Sequence, residues 1–293
     1  MSNCELIDTF PSFLRVWKEV EYSSLDEQIK GWLESYMNHY PELLQKQLDD
    51  YASLDEDWHV AASERIFPAL PERLSAMQIA HDNLLSVCND VYDRTQKAVN
   101  FNNDLVCVIY VGLGCGAGWA NEYDGNPAIL FGLENIAEEG WQGRDTLTGL
   151  AAHELGHLVH FEWRKQANIA NEDDHWWQLY TEGFAQRCES VILGKPSWHM
   201  QADSKMGWRD WCEKNIGWLA AEFLRRGDQG EDMRPFFGSW FDLGGQKQTG
   251  YFLGHEIIKK MQERMSLQEI ALLTDVESHL RSLLVQISGK SQP

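Results

Sequence analysis

Positive charge is what this chain has least of. Lys and Arg number 25 against 45 Asp and Glu, a formal charge of -20, and a surface of that sign repels both a phosphate backbone and an anionic bilayer. Nucleic acid and membrane are thereby excluded as partners, and solubility is the plain use of the excess acid. The six cysteines are scattered, form no C-x-x-C pair and sit in a chain too long to depend on a disulfide framework, so they read as reduced and structural. Long apolar runs are missing too: nothing approaches the ~18 uninterrupted residues of a membrane span. The first ten residues, MSNCELIDTF, hold acids and neither a basic leader nor an apolar stretch, which gives the expectation of a cytoplasmic protein. No repeat or low-complexity tract stands out.

What is present suits a folded chain. Hydrophobic residues make up 43% and charged residues 24% of 293 positions, close to globular averages, and the length allows one large domain or a catalytic domain with an appendage. Thirteen Trp is a high count; core filling is the default for them, with the lining of a cleft as the other use.

From Leu25 to about Val99 the sequence reads as helices with punctuation: a segment around Ser24 to His39, a break at Pro41, a helix to Tyr51, and longer ones flanking Pro68 and Pro71. Leu70, Leu74, Met77, Leu84 and Leu85 recur at helical spacing. The character changes at Leu105, where Leu-Val-Cys-Val-Ile-Tyr-Val predicts a buried strand running into the glycine-rich Gly112 to Gly118. No Lys-Ser/Thr follows those glycines, so a phosphate loop is not expected. A second strand is expected at Ala128 to Leu133, after the turn signal Asp124-Gly125-Asn126-Pro127. Helices follow at Thr146 to about Ala167, Trp176 to Leu193, Trp208 to Arg226, Tyr251 to Met265 and Leu267 to Ile287, with a long loop from Gly227 to Gly250. The expected organisation is a helical region over 1–100 and a catalytic domain over 101–293. The fold class is α+β: mainly helical, with a small sheet beside the central helix.

Chemistry concentrates in His153-Glu154-Leu155-Gly156-His157. H-E-x-x-H on a helix sets two imidazoles one turn apart, both able to reach one zinc ion; with 10 His in the chain, roughly 0.03 chance matches are expected. At ~100° per residue, His153, His157 and His160 fall within about 60° of one another, opposite Leu147, Ala151, Leu155, Leu158 and Val159. Glu154 lies about 100° from His153, where its carboxylate serves a water on the metal rather than the metal itself. A catalytic zinc needs a third ligand and one open position. Glu182, within Tyr180-Thr181-Glu182-Gly183-Phe184-Ala185 on the next helix, supplies it. The small Gly183 and Ala185 are expected to let that helix approach the histidine helix closely.

H-E-x-x-H followed by Glu in an E-G-x-A setting resembles the gluzincin group of zinc metallopeptidases. Gly250-Tyr251-Phe252-Leu253-Gly254 adds a likeness to the bacterial YjaZ-like zinc proteases, whose later helix carries Gly-Tyr-x-x-Gly. The resemblance spans roughly Leu105 to Ile258 and leaves the first hundred residues without a family. It implies a thermolysin-like core, His153, His157 and Glu182 as ligands of one Zn2+ ion, and Glu154 as general base. It also implies Ala128 to Leu133 as the sheet edge that pairs with an extended peptide. The activity it implies is cleavage of peptide bonds in a peptide or protein substrate by attack of a zinc-bound water.

Other residues have weaker readings. Tyr251 and His255, one turn apart, are candidate donors to a tetrahedral oxyanion; Tyr251 serves equally well as a core residue. His160 lies too far along the helix to replace Glu182 and reads as a supporting or surface residue. Glu189 faces the same way as Glu182 and is a candidate to orient an imidazole. His39, His59, His81, His175 and His199 lack partners at metal spacing, and the pairs Asp49-Asp50 and Asp173-Asp174 read as solvated charge. A different class remains open: a non-catalytic binding or regulatory module on a metallopeptidase fold, against which the retained Glu154 counts. A zinc hydrolase of other amides or esters would need the same ligands.

Overall fold

A strand without polar alternation, such as the continuous apolar run at residues 105–110, must be covered on both faces. In the computed structural model, which describes residues 3–172, 174–201, 207–238 and 241–289, that run is strand β2, Leu105–Tyr110, buried along its whole length. It is flanked by β1 (Cys4–Asp8) and β4 (Asn126–Gly132), both parallel to it, and β3 (Trp119–Tyr123) closes the far side antiparallel to β4, giving the order β1-β2-β4-β3. Asp124 and Gly125 both take positive φ, 50° and 74°, as a two-residue hairpin turn between β3 and β4 requires.

One expectation is corrected here. Ala128 to Leu133 is not a sheet edge: β4 bonds to β2 on one side and β3 on the other, and Leu133 already begins a helix. Full burial of Ala128–Phe131 is the signature of an interior strand. The sheet's two edges are β1 and the more polar, half-buried β3.

Backbone contacts divide the chain into two compact units, Met1–Glu154 and Leu155–Pro293. In the first, β1 leads into α1 (Phe10–Val20), α2 (Leu25–Gly31), α3 (Pro41–Ser53), α4 (Trp58–Ala61), α5 (Leu70–Val99), α6 (Leu133–Glu138) and the start of α7 (Arg144–Gln166). The helix expected over Ser24 to His39 begins at a reciprocal Ser24–Glu27 capping box. It then widens into a π turn at Trp32–Tyr36 and tightens at Met37–His39. Pro41 forces this ending, since the α conformation is disfavoured for the residue before a proline. Pro71, by contrast, sits in the first turn of α5, where no amide is needed.

These helices hold the end of β2. Trp32 Nε1 donates to the Val111 carbonyl at 2.9 Å, Tyr36 Oη accepts the Val111 amide at 3.1 Å, and Tyr51 Oη donates to the Leu113 carbonyl at 2.7 Å. Two amides of the glycine-rich turn are already engaged: that of Leu113 by Gln47 and that of Gly114 by the buried Glu134 carboxylate, at 2.9 and 3.0 Å. A Cβ on Gly112 would lie 2.3 Å from Gln47 Oε1, so only glycine fits.

The second unit continues α7 and contains α8 (His175–Leu193), α9 (Trp198–Gln201), α10 (Trp208–Gln229), α11 (Arg234–Phe237), α12 (Thr249–Met261), α13 (Leu267–Ala271) and α14 (Val276–Ser288). The helix expected from Leu267 to Ile287 is two helices, because the chain carries two start signals: a Ser266–Glu269 capping box and an Asp275 cap on the Ser278 amide. The expected loop from Gly227 to Gly250 holds the short α11 and an isolated bridge, Leu243 to Gln246. Asp173 and the side chain of His199 lie outside the described residues.

The chain is thus mainly helical with a four-stranded mixed sheet, an α+β fold. Among the described residues no helix is long and apolar enough to cross a membrane, and no disulfide links any of the six cysteines.

Candidate metal centre

Helix α7 brings the H-E-x-x-H residues to depth. Residues 150–156 and 158–160 are all buried, so the histidine side of the helix is covered along with its apolar side. His153 is buried and His157 one turn on is half-buried. Glu182 is half-buried on α8, which starts at an Asp174 cap on the Trp177 amide (2.7 Å) and ends at Gly194.

One ligand atom from each of His153, His157 and Glu182 falls within 4.8 Å of the others, the only such group of His, Cys, Asp or Glu side chains among the described residues. His157 Nε2 stands 3.6 Å from Glu182 Oε2. Two donors bound at about 2.1 Å to a tetrahedral ion stand roughly 3.4 Å apart, so this separation already fits a shared cation. Two imidazoles and one carboxylate are a donor set suited to a divalent transition metal with a position left open. The group could hold a metal ion.

Glu154 is buried and outside the ligand group. Its Oε2 accepts the backbone amide of Ala120, on edge strand β3, at 3.0 Å. A Cβ on Gly118 would sit 2.9 Å from Glu154 Cγ and 3.0 Å from its Oε1, so the last glycine of the turn before β3 clears space for this carboxylate. The base candidate and the sheet edge are therefore in direct contact.

Of the two small residues expected to bring α8 close to the histidine helix, Ala185 does so and Gly183 does not. It is Gly156 of α7 that lies against α8: a Cβ there would be 2.8 Å from the Ala185 carbonyl oxygen and 2.9 Å from Ala185 Cα. Gly183 faces α12 instead, where its Cβ would be 2.3 Å from the Gly254 oxygen.

Tyr251 of α12 packs edge-on against Phe237. His255 accepts from Arg187 Nη1 at 3.4 Å through Nε2 and contacts Glu256 Oε1 at 3.0 Å through Nδ1, in a pocket whose lining contains none of His153, His157 and Glu182. His160 is fully buried among Phe161, Trp177, Tyr180 and Phe184; burial, then the nearby Arg164 charge, hold its pKa well below the usual histidine value. It is neither a surface residue nor a member of the ligand group. Glu189, buried, accepts the Ser197 hydroxyl at 2.6 Å and the Trp198 amide at 2.7 Å, tying the loop after α8 to that helix. His81, which gave no signal in sequence, lies 2.9 Å from both Asp8 Oδ2 and Asp82 Oδ1; its partners come from 73 residues away and from the next position.

No protein-family model, no curated protein and no solved structure matches the chain.

Proposed function

We propose that the chain is a zinc-dependent peptidase of gluzincin type, with a thermolysin-like core and residues 101–293 as its catalytic part. The observation that carries this reading is the junction of two features: a His153, His157 and Glu182 donor group and a non-ligating Glu154 whose carboxylate bonds to the edge strand of the sheet. A purely structural zinc site has four protein ligands and no use for a buried carboxylate beside it.

A zinc ion held by His153, His157 and Glu182 would supply Lewis acidity, lowering the pKa of a water and polarising a carbonyl. Glu154 accepts the water's proton and returns it to the leaving amine. Its bond to Ala120 fixes it against β3, and an extended peptide laid along that edge gains main-chain hydrogen bonds without demanding particular side chains. Its scissile carbonyl is thereby brought beside Glu154. The peptide-pairing edge assigned to Ala128 to Leu133 by resemblance thus passes to Trp119–Tyr123.

Glu154→Gln tests the mechanism. Peptide cleavage, followed with a quenched fluorescent peptide mixture, is expected to fall by at least ~100-fold, the usual contribution of general-base catalysis, while metal content stays at the wild-type level. Undiminished cleavage by the variant would refute the role of Glu154. A wild type that binds zinc and cleaves nothing would favour a binding module on the same fold.

A further inference from the structure

The second unit contains a pocket of about 430 Å³ whose charge runs against that of the whole chain. Among the described residues four that line it are cationic, Arg187, Lys195, Arg209 and Lys259, and one, Glu256, is anionic, in a protein with nearly twice as many acids as bases. The cations come from separate elements: Arg187 from α8, Lys195 from the loop after it, Arg209 from α10 and Lys259 from α12. Such convergence is not needed for folding, because like charges brought together cost free energy unless an anion joins them.

Among the described residues, carboxylates do not match these cations one for one. Glu256 is shared between Lys259, at 3.0 Å, and His255, and Arg209 pairs with Glu213 at 2.8 Å. Arg187 and Lys195 have no carboxylate within 4.0 Å among the described residues. Arg187 is half-buried and spends two of its five N–H groups, one on Gln262 Oε1 at 2.5 Å and one on His255 Nε2 at 3.4 Å. The Glu256 contact at Nδ1 and the Arg187 contact at Nε2 suit a neutral imidazole that buttresses the guanidinium.

We propose that this pocket binds a phosphorylated small molecule, with Arg187 and Lys195 gripping the phosphoryl group. A carboxylate presents two oxygens in a plane and is satisfied by a single guanidinium, whereas a phosphoryl group offers three oxygens and close to two charges to donors from several directions. The pocket is also far larger than one oxyanion and lies in the range of small-molecule sites; Pro196 and Met200 give it an apolar wall for the organic part. The site is separate from the metal ligands, and its occupation does not depend on the peptidase reading.

Calorimetric titration of the intact chain at low ionic strength, with inorganic phosphate, phosphoserine, glucose 6-phosphate, succinate and glucose, tests this. Saturable one-to-one binding of the two esters is expected, tighter than inorganic phosphate by about tenfold or more, with succinate and glucose silent. Arg187→Met and the exposed Lys195→Ala should each weaken binding by at least about tenfold, the scale of a lost charged hydrogen bond. Lys195→Ala keeps the test valid should Arg187→Met fail to fold. Binding should persist in Glu182→Ala, which separates this pocket from phosphate captured by the metal. Absence of saturable binding, equal binding of succinate or inorganic phosphate, insensitivity to Lys195→Ala, or loss in Glu182→Ala would each overturn the proposal.

Discussion

Replacing Gly156 by alanine adds one methyl group at the contact that sets the spacing of the two ligand-bearing helices. Its Cβ would stand 2.8 Å from the Ala185 oxygen, 2.9 Å from Ala185 Cα and 3.2 Å from the Ala185 carbonyl carbon, all backbone atoms that cannot swing aside. Ordinary contacts begin near 3.5 Å, so α7 and α8 must separate by about 0.7 Å. His157 is the next residue, and its 3.6 Å approach to Glu182 would widen toward about 4.3 Å, while a metal site tolerates only about 0.2 Å in its ligand distances. Stability is the poorer readout, since alanine returns up to ~1 kcal/mol of helix propensity against an overpacking cost of ~1 to 3 kcal/mol. Metal affinity is the better one, and a fall of at least about tenfold is expected, as for other disturbances of ligand placement. A competition titration with a chromogenic zinc chelator measures it. Gly183→Ala is the companion variant: its 2.3 Å clash is with Gly254 of α12, so it should lose more stability than Gly156→Ala and less metal affinity. Wild-type zinc affinity in Gly156→Ala would refute the reasoning.

Two further predictions concern the units separately. Burial opposes the charged form of His81, but hydrogen bonds to Asp8 and Asp82 outweigh it and raise its pKa. Its stabilising contribution is therefore full below the ordinary histidine value of about 6.5 and fades as pH rises through the elevated value. The gap in urea-unfolding free energy between wild type and His81→Gln should shrink as pH rises above about 6.5; a gap independent of pH would contradict this. Arg164, fully buried, donates to the carbonyls of Ala271 at 3.0 Å, Leu273 at 2.7 Å and Ala170, and lies over the Trp177 ring. Arg164→Met leaves those acceptors without a donor and should cost more than about 3 kcal/mol at 1 to 3 per group; a loss below about 1 kcal/mol in denaturant unfolding would show them otherwise satisfied.

The donor group was legible because its residues are close in sequence or sit in a recognisable pattern: His153 and His157 one helical turn apart, Glu182 in the middle of the following helix. Spacing alone could not rank strands within the sheet. The Ala128–Phe131 run announces burial, and burial on both faces is what disqualifies it as an edge, while the polar Trp119–Tyr123 segment gave no strand signal of its own. β1 was invisible because its pairing partner begins at Leu105, a hundred residues away, and five residues carry too little periodicity. Gly183 announced a close helix contact but not which helix, since either neighbour would demand a missing side chain. The cationic pocket left no trace because its residues come from four elements with no common spacing.

Catalysis at this centre requires that His153, His157 and Glu182 hold one metal ion. Zinc titrated calorimetrically into the metal-stripped chain, wild type beside Glu182→Ala, tests that directly. One zinc per chain in the wild type, bound at least about a hundredfold more weakly once the carboxylate ligand is gone, is the predicted result; a wild type that takes up no zinc, or a variant that binds it equally well, would contradict the site.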